Sequence, residues 1–349
     1  MSAPELHLDA NEGPAPPTDL MAELTRAPAD LLRRYPRTGA LERLLADRLG
    51  IAADRVLATN GSNDALDRIM RTSLAGGGRL VLPVPAFSMF DRFTRLAGGR
   101  IVEVPWFEGP FPRQAVLRRC RRRTALLVLT SPNNPTGAVI ETPLLTELAR
   151  SLPGVLILLD LAYVEFADED PSAEVLQLPN VVIVRTLSKA WGLAGLRVGY
   201  AAGEAALISR LRLAGQNFPV AGPSAVLAAA RIASGNGALA RSVAEIRRER
   251  ELLSEDLRAI GASPLPSQAN FILARFPDAE GAHRRLAAGG IAVRIFPDVP
   301  RLAGWLRITC PGSADDFARL RAALRTLPAE TDRSPVDSPS TSSAQGVER

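Results

Sequence analysis

The sequence predicts an α/β protein with a mainly parallel seven-stranded sheet in a large domain and a small α/β domain near the C-terminus. Between residues 54 and 205, seven short apolar runs alternate with helix-like segments. These runs are almost continuous in Val, Leu and Ile, which is typical of parallel strands buried on both faces. A chain of 349 residues with 46% hydrophobic residues can bury a large core and accommodate two domains.

The large domain is predicted to span residues 31–245, after an irregular N-terminal arm at 1–30. Helices are predicted at 41–49, 64–74 and 143–151. The predicted strands are 56–59, 80–84, 101–104, 126–130, 155–160, 181–185 and 198–201. We expect this domain to carry a cofactor beyond the carboxyl ends of its strands, where ligands bind in open α/β sheets.

The pattern changes after a long helical stretch at 224–260. Strands at 271–274, 291–295 and 305–309, with helices at 279–288 and 314–327, predict a small domain over residues 246–327. Together with the arm, this domain is expected to close over the ligand. Residues 328–349 are rich in Ser, Pro and charge with almost no apolar content, so they are predicted to be a disordered tail.

Composition excludes several classes of protein. The two cysteines, Cys120 and Cys310, are far apart, which argues against a disulfide framework or a cysteine-based zinc site and suits a reducing compartment. Two histidines cannot by themselves form a His-rich metal centre, so no metal is predicted. The N-terminus lacks a signal-peptide pattern, and the most apolar stretch, 155–159, is far shorter than the ~20 residues that span a bilayer. We therefore expect a cytoplasmic protein without membrane association.

The net charge of +5 raises the question of nucleic-acid binding. The densest basic cluster surrounds Cys120 and consists of Arg118, Arg119, Arg121, Arg122 and Arg123. No aromatic residue is interleaved, so the cluster lacks the stacking platform of a single-strand binder. A solvated helix end is the preferred interpretation, and the positive field would favour encounter with anionic small molecules.

Lys189 is the one lysine in the chain, although Lys and Arg together total 42. Biased codon usage explains why other lysines are missing, but it does not explain why a lysine is kept at position 189. Arginine can replace lysine as a surface cation but cannot lose its proton to become a nucleophilic amine. Lys189 follows a predicted strand, and an amine in a ligand crevice can form a Schiff base once burial lowers its pKa. An incidental lysine in a surface loop is the alternative.

Other polar side chains also follow predicted strands. Asp160 ends an apolar strand, where a carboxylate is costly unless it meets a cation such as a protonated pyridine nitrogen, and Tyr163 follows three residues later. Asn134 lies in the stiff turn SPNNPTG and offers a neutral donor to a phenolate-like oxygen. Taken singly, Asp160 fits a helix N-cap and the SPNNPTG segment fits an ordinary turn.

A phosphate and an aromatic ring complete the expected ligand. Two hydroxyls, of Thr186 and Ser188, lie near Arg197, a combination suited to a phosphate dianion. The segment containing Ser62 and Asn63 joins a strand to a helix, where free backbone N–H groups bind phosphate or simply cap the helix. Phe87 could stack on a planar ring or pack in the core. Together these residues specify pyridoxal phosphate.

From about residue 7 to 327 the sequence resembles fold-type I pyridoxal-phosphate aminotransferases, most closely the histidinol-phosphate aminotransferases. The resemblance rests on the RTLSKA–GLAGLR–G block, SPNNPTG, the DxAYxEF segment at 160–166 and LRIT at 306–309. It implies that Lys189 binds the cofactor aldehyde and moves the proton. It also implies that Asp160 holds the pyridine nitrogen, whereas Asn134 and Tyr163 hold the ring hydroxyl.

The same resemblance assigns the remaining cofactor contacts. Phe87 would stack on the ring. The phosphate would be bound by Thr186, Ser188, Arg197 and the backbone of Ser62 and Asn63. Tyr35 matches the family tyrosine that reaches the cofactor phosphate of the partner subunit, which implies a homodimer with shared active sites.

The resemblance also assigns the substrate end. Arg307 matches the family arginine that binds the anionic end of the substrate, and Arg294 matches a second one. One arginine is sufficient for an α-carboxylate, whereas two suit a phosphate dianion. Asn11 and Asn270 match positions near the substrate. The implied reaction is transamination between histidinol phosphate and 2-oxoglutarate.

The sequence departs from the family pattern at several positions. Arg294 is followed by Ile295 and Phe296 where the family has an aspartate next to the arginine, and LRIT is followed by Cys310-Pro-Gly-Ser313 in place of a Gly-Thr-Arg-like turn. The usual Asp-Glu-Ala-Tyr is Asp160-Leu-Ala-Tyr163. None of these departures touches the cofactor contacts, so the substrate is less constrained than the chemistry.

Three alternatives follow. The donor could be an aromatic or another amino acid. A lyase resembling threonine-phosphate decarboxylase would share the fold, the lysine and two anion-binding arginines. A non-catalytic ligand sensor would need an output module such as a DNA-binding helix-turn-helix, for which an arm of about 30 residues is too short.

Overall fold

Two β-sheets, one of seven strands and one of five, organise the part of the chain that the structure describes. That part is residues 5–120 and 123–327 of a computed structural model. The predicted tail at 328–349 lies outside the described residues.

Twelve strands and thirteen helices are assigned within the described residues. The strands are β1 (Leu6–Leu8), β2 (Val56–Asn60), β3 (Arg79–Val84), β4 (Arg100–Pro105), β5 (Thr124–Thr130), β6 (Leu156–Asp160), β7 (Val181–Thr186), β8 (Val198–Gly203), β9 (Ser263–Pro264), β10 (Phe271–Arg275), β11 (Ile291–Ile295) and β12 (Trp305–Thr309). The helices are α1 (Ala22–Arg26), α2 (Asp30–Arg33), α3 (Gly39–Leu49), α4 (Gly61–Leu74), α5 (Met89–Leu96), α6 (Arg113–Arg119), α7 (Thr142–Ser151), α8 (Ser172–Val175), α9 (Ala205–Leu213), α10 (Gly222–Ala233), α11 (Gly237–Ala259), α12 (Ala279–Ala288) and α13 (Ala314–Arg325).

The large sheet has the strand order β2-β8-β7-β6-β5-β3-β4 and is mainly parallel, as predicted. Only β8 runs antiparallel to its neighbours, β2 and β7. Strands β2, β7, β6, β5 and β3 therefore all end at the same edge. The central strands β5, β6 and β7 are buried along almost their whole length, which explains their near-continuous apolar sequence.

The small sheet has the order β1-β11-β12-β10-β9 and includes part of the N-terminal arm. The prediction of an irregular arm is wrong here, because β1 pairs in parallel with β11 and aligns Leu6 with Ile291. Leu6 and Leu8 are buried and His7 between them is exposed. Three alternating residues are too short a pattern to indicate a strand without its partner.

The predicted helical stretch at 224–260 is two helices, α10 and α11. They are separated at Gly235, which has a left-handed φ of 83° that ends α10. Helix α11 continues across the predicted boundary between residues 245 and 246, so the division into domains stays a prediction. Helix α4 begins at Gly61, three residues before its predicted start, which places Ser62 and Asn63 in its first turn.

The helices pack against the sheets through apolar stripes. Helix α4 buries Ala65, Leu66, Ile69, Met70 and Leu74, at the three- and four-residue spacing of one helix face. Full burial of each large side chain contributes about 1.5–3 kcal/mol. Among the described residues, no helix combines the length and apolar character needed to cross a bilayer.

The predicted basic cluster is only partly described. Arg118 and Arg119 lie in the last turn of α6. Arg121 and Arg122 lie outside the described residues. The absence of nucleic-acid binding therefore stays a prediction.

Candidate active site

The shared edge of the large sheet brings together three of the predicted polar side chains. Asp160 is the last residue of β6, Asn134 follows β5 by four residues, and Lys189 follows β7 by three. Because β5, β6 and β7 are parallel neighbours, their carboxyl ends lie side by side. The cluster is therefore a consequence of strand direction and order.

Lys189 is held in a short loop closed by backbone hydrogen bonds. The N–H of Leu193 donates to the Leu187 carbonyl, and the N–H of Gly192 donates to the Lys189 carbonyl, both at 3.0 Å. Its Nζ donates to the Ala10 carbonyl at 2.9 Å. Burial and the charges of Arg307 and Arg197 lower the pKa of Lys189 to about 8, against the opposing effect of Glu12 and Asp160.

Asp160 is a buried carboxylate, only 4% exposed. Its Oδ1 accepts the Ala162 N–H at 3.1 Å. Burial raises the pKa of Asp160 to about 7, although the Ala162 N–H and the charge of Lys189 oppose the shift. A cation in contact with this carboxylate would restore its ionised form, so the position is suited to a positively charged ligand atom.

The Tyr163 hydroxyl accepts hydrogen bonds from two asparagine amides. Asn11 Nδ2 donates to it at 3.0 Å and Asn134 Nδ2 at 3.4 Å. Its ring meets the edge of Phe271 with the centroids 5.2 Å apart. With two donors on its oxygen, the Tyr163 hydroxyl keeps its own hydrogen for a ligand acceptor.

A second cluster at this edge is suited to an anion. Thr186 and Ser188 hydroxyls are 2.9 Å apart, and Arg197 Nη1 lies 3.5 Å from Ser188 Oγ. Arg197 has a left-handed φ of 53°, which costs a non-glycine residue about 1–2 kcal/mol. Gly61 at the start of α4 faces Arg197, and a Cβ at Gly61 would lie 2.6 Å from Arg197 Nη2.

This cluster lies beside the first turn of α4. The Ser62 backbone nitrogen lies so close to Gly199 that a Cβ at Gly199 would overlap it. Ser62 and Asn63 therefore lie at the start of a fourteen-residue helix whose first backbone N–H groups have no partner within the helix. The helix start and the Arg197 guanidinium together form a cradle for an anionic group.

Arg307 and Arg294 lie on adjacent strands of the small sheet. They are directly paired in the register of β12 and β11. Arg307 is buried, and its terminal nitrogens donate to Asn134 Oδ1 and to the Asp9 carbonyl, both at 2.6 Å. Burial lowers the pKa of Arg307, and Arg294 lowers it further. Arg294 itself is exposed.

The arm passes through the site and contacts both sheets. The Asn11 N–H donates to Thr309 Oγ1 at 3.2 Å, and Thr309 Oγ1 lies 3.0 Å from Asn11 Oδ1. Asn270 Nδ2 donates to the carbonyls of Asn11 and Glu12, both at 3.3 Å, and its buried Oδ1 has no partner among the described residues. A Cβ at Gly13 would overlap the Lys189 carbonyl. The arm thus joins the small sheet to the lysine loop.

The family model for aminotransferase class I and II matches residues 4–324. The chain belongs to this family. The histidinol-phosphate aminotransferase of Gluconacetobacter diazotrophicus is 34% identical over 330 residues, which cover 92% of this chain and 91% of the relative. That of Xanthomonas euvesicatoria pv. vesicatoria is 35% identical over 333 residues, with coverage of 92% and 90%.

Solved structures agree with this assignment. The crystal structure of histidinol-phosphate aminotransferase from Sinorhizobium meliloti in complex with pyridoxal-5'-phosphate has a TM-score of 0.84 and 26% identity, covering 93% of this chain and 92% of that one. The chain is therefore a transaminase of the fold-type I class that depends on pyridoxal phosphate.

The side chains of this aminotransferase fit that cofactor. Lys189 offers an amine with a lowered pKa for the aldehyde. Asp160 offers a buried carboxylate with no ion-pair partner among the described residues, as a protonated ring nitrogen requires. The cradle at Gly61 and Arg197, which a Cβ would fill, offers a phosphate position.

Two predicted cofactor residues of the aminotransferase lie apart from the contacts described above. Phe87 follows β3, is partly buried and meets the edge of Phe90 with the centroids 6.0 Å apart. Tyr35 is 78% exposed and stacks on Phe218 with the centroids 4.6 Å apart. Among the described residues, no hydrogen bond or cation–π contact joins Tyr35 to Lys189 or Arg197.

Sequence reasoning missed a buried ion-pair network below the lysine loop of the aminotransferase. Arg185 donates to Glu165 and to Asp170, each at 2.8 Å, and Trp191 Nε1 donates to Glu165 at 3.2 Å. The network ties the segment after β6 to the lysine loop and so fixes the position of Asp160 relative to Lys189. Glu165 and Arg185 lie inside the quoted motifs, but only their contact reveals the role.

Thr309 and the carbonyls of Asp9 and Ala10 were also missed. Thr309 ends the LRIT motif, which drew attention to it without indicating a partner. Backbone carbonyls carry no sequence signal. Asp9 and Ala10 could therefore be found only from the path of the arm.

The turn Cys310-Pro-Gly-Ser313 contacts a buried glutamate of α11. Glu249 is fully buried, and its Oε2 accepts the Gly312 N–H at 2.7 Å. Burial raises the pKa of Glu249 from 4.5 to about 7, against the opposing Gly312 N–H. The glutamate therefore holds the loop after β12 through a backbone contact.

We expect Glu249 to make the stability of the protein depend on pH. Because the folded pKa is raised, this glutamate stabilises the fold fully below pH 4.5, and that contribution is lost as the pH rises to about 7. In Glu249→Gln the free energy of unfolding should fall by on the order of 1 kcal/mol less than in the wild type over this pH range. Thermal melts from pH 4.5 to 8 would measure it, with exposed Glu251→Gln as the matched control. Parallel stability curves for the wild type and Glu249→Gln would contradict the assignment.

Proposed function

We propose that the protein transfers the amino group of histidinol phosphate to 2-oxoglutarate. The observation that carries the proposal is the pairing of Arg294 and Arg307 on adjacent strands, because two guanidinium groups suit a phosphate dianion better than a carboxylate. The names of the relatives from Gluconacetobacter and Xanthomonas support the same substrate.

When bound, pyridoxal phosphate supplies an aldehyde that accepts the amine and a ring that takes up the negative charge left on the substrate carbon. Lys189 is proposed as the residue that binds the aldehyde and then moves the proton. With a pKa of about 8, its Nζ can both accept and return a proton near neutral pH. The Ala10 carbonyl orients this amine.

Asp160 and Tyr163 are proposed to hold two polar atoms of the ring, the nitrogen and the hydroxyl oxygen. The Asp160 carboxylate keeps a proton on the ring nitrogen, because a buried carboxylate and a buried cation stabilise each other. The Tyr163 hydroxyl donates its hydrogen to the ring oxygen, since its own oxygen already accepts from Asn11 and Asn134. Asn134 has a second amide hydrogen for the same oxygen.

The phosphate is proposed to lie in the cradle at the start of α4. The residues that would bind it are Thr186, Ser188, Arg197 and the backbone N–H groups of Ser62 and Asn63. A guanidinium and a helix start contribute charge-assisted hydrogen bonds to phosphate. Phe87 is proposed to pack on the ring face, because it follows β3 at the same edge of the sheet.

The substrate is proposed to lie between the ring and the small sheet. Arg307 and Arg294 would bind its phosphate, whereas Asn11 and Asn270 would line its path. Both asparagines are buried, and Asn270 holds the arm carbonyls of Asn11 and Glu12 in place. Closure of the arm over this space would exclude water from the reacting carbon.

A half-reaction screen tests the substrate. The holoenzyme is mixed with histidinol phosphate, histidinol, phenylalanine or glutamate, and the loss of the absorbance of the bound aldehyde is followed. We expect histidinol phosphate to react at least about 10²-fold more efficiently than histidinol, because loss of the phosphate leaves two guanidinium groups without their anion. Glutamate should react as the second donor.

Two results would replace the proposal, one from this screen and one from the same assay with a phosphorylated amino acid added. Bleaching by phenylalanine but not by histidinol phosphate would make the protein an aromatic amino-acid transaminase. Release of carbon dioxide from a phosphorylated amino acid, without any amino acceptor, would make it a lyase.

We also infer that the protein is a homodimer with shared active sites. Tyr35 and Phe218 form an exposed stacked pair, and other large apolar side chains are exposed in the single chain: Met21, Leu32 and Leu213. Exposed apolar surface of this kind favours an interface. Tyr35 would then reach the cofactor phosphate of the partner subunit.

Subunit hybrids test the shared site. Tyr35→Ala should weaken cofactor binding about 10-fold through loss of a hydrogen bond to a charged group. Refolding Tyr35→Ala subunits with Lys189→Arg subunits should restore one wild-type site per hybrid, because each subunit supplies what the other lacks. A monomer in sedimentation, or hybrids no more active than their parents, would refute the shared site.

A cytoplasmic location is inferred from the thiols. Cys120 and Cys310 are both free, and Cys310 is fully buried. Free thiols suit a reducing compartment.

A further inference from the structure

One aromatic ring lies against both arginines of the substrate end. The Arg294 Cζ is 5.7 Å and the Arg307 Cζ 6.0 Å from the centroid of Phe296. Phe296 is partly buried beside the apolar cluster of Leu273, Leu302 and Trp305. The ring is therefore held by the small domain's own packing, and the two guanidinium groups share it.

Without this ring, little would restrain Arg294. Its side chain is exposed and has no hydrogen-bond or ion-pair partner among residues 5–120 and 123–327. Arg307, by contrast, is held by hydrogen bonds to Asn134 and Asp9, so the two arginines are restrained in different ways. Like charges on paired strands repel, and an exposed arginine would turn away into solvent. Attraction between a guanidinium and an aromatic ring opposes that movement.

We propose that Phe296 determines substrate specificity by holding Arg294 beside Arg307, so that both guanidinium groups bind one phosphate dianion. The inference rests on the proposed function, since it concerns the phosphate end of the same substrate. The residue next to Arg294 is the uncharged Ile295, and Phe296 is the second residue after it. With no carboxylate at either position, the charge of Arg294 stays available to the substrate anion.

The ring should matter for a dianion more than for a carboxylate. The α-carboxylate of glutamate is satisfied by the buried Arg307, which keeps its own anchors. A phosphate dianion gains from the second guanidinium. Phe296 therefore affects the choice between the two anions.

The test uses the holoenzyme, in which the cofactor already fills the cradle at α4. Inorganic phosphate is titrated by calorimetry, and the half-reactions with histidinol phosphate and glutamate are measured beside it. Phe296→Leu should raise the Kd of phosphate and the KM of histidinol phosphate about five-fold, with a change below about two-fold in the KM of glutamate. Phe296→Tyr keeps the ring and should behave as the wild type.

A double-variant cycle shows whether Phe296 acts through Arg294. In the Arg294→Gln background, Phe296→Leu should change the Kd of phosphate by less than about two-fold. An equal loss in both backgrounds, or no loss in either, would overturn the inference. If the wild-type holoenzyme itself prefers histidinol to histidinol phosphate, the proposed function fails. If the wild type prefers histidinol phosphate to histidinol and Phe296→Leu shows the same preference, only the role of Phe296 fails.

Discussion

Lys189→Arg should lower kcat for transamination by at least about 10⁴-fold, because arginine keeps the positive charge but offers no neutral amine for the cofactor aldehyde. The loss should occur in both half-reactions, since the same amine binds the cofactor and moves the proton. Steady-state rates with histidinol phosphate and with glutamate measure it.

Borohydride reduction gives an independent readout of the same variant. Reduction of the wild-type holoenzyme should fix the cofactor to the peptide that contains Lys189, whereas the Lys189→Arg protein should release its cofactor on denaturation. Arg185→Lys controls for non-specific labelling, because it introduces a lysine elsewhere. It keeps a cation in the buried network of β7, the strand that precedes Lys189. Retained turnover by Lys189→Arg would contradict the assignment of Lys189 as the amine that binds the aldehyde and moves the proton.

Asp160→Asn should lower kcat roughly 10²- to 10³-fold, the usual effect of removing one electrostatic contact to developing charge. The amide has nearly the same shape and still accepts the Ala162 N–H, so the fold should survive. It carries no charge, and the proton on the ring nitrogen loses its partner. Single-turnover rates measure the effect on chemistry apart from binding.

The stability of the cofactor-free protein supplies a second readout for Asp160. Burial raises the pKa of Asp160 from 3.8 to about 7, so its stabilising contribution is complete below pH 3.8 and is lost as the pH rises to about 7. Asp160→Asn should remove this loss, and the variant without cofactor should melt at a higher temperature than the wild type at pH 7. A kcat unchanged by Asp160→Asn would show that the carboxylate does not contact the ring.

The large sheet could be predicted from sequence because its strands are buried on both faces. Uniform apolar runs of the kind in β5, β6 and β7 have few other stable environments in a globular protein. Helix ends differ more from the sequence prediction. Helix α4 begins before its predicted start, which lies late because the first turn is polar. The break between α10 and α11 falls at Ser234-Gly235-Asn236-Gly237, whose poor helix formers are a sequence signal for a helix end.

The clustering of the candidate site residues could be predicted because strand ends in a parallel sheet converge at one edge. Asp160 ends an apolar run, whereas Lys189 and Asn134 follow one within four residues, and the structure places all three at this edge. The contacts between Asn11 and Tyr163, and between Asn11 and Thr309, could not be predicted. They join residues 152 and 298 positions apart, and no local pattern encodes such a pairing.

The sequence by itself determined the class of chemistry, because the one lysine, the strand-terminal carboxylate and the hydroxyl-arginine cluster indicate pyridoxal phosphate when they occur together. The tertiary structure alone decided the rest. In the folded chain the arm crosses the loop that contains Lys189. Arg294 is aligned with Arg307, and Phe296 lies against both. Arginines look alike among the 41 in this chain, and only the pairing of β11 with β12 distinguishes the two that lie side by side against Phe296.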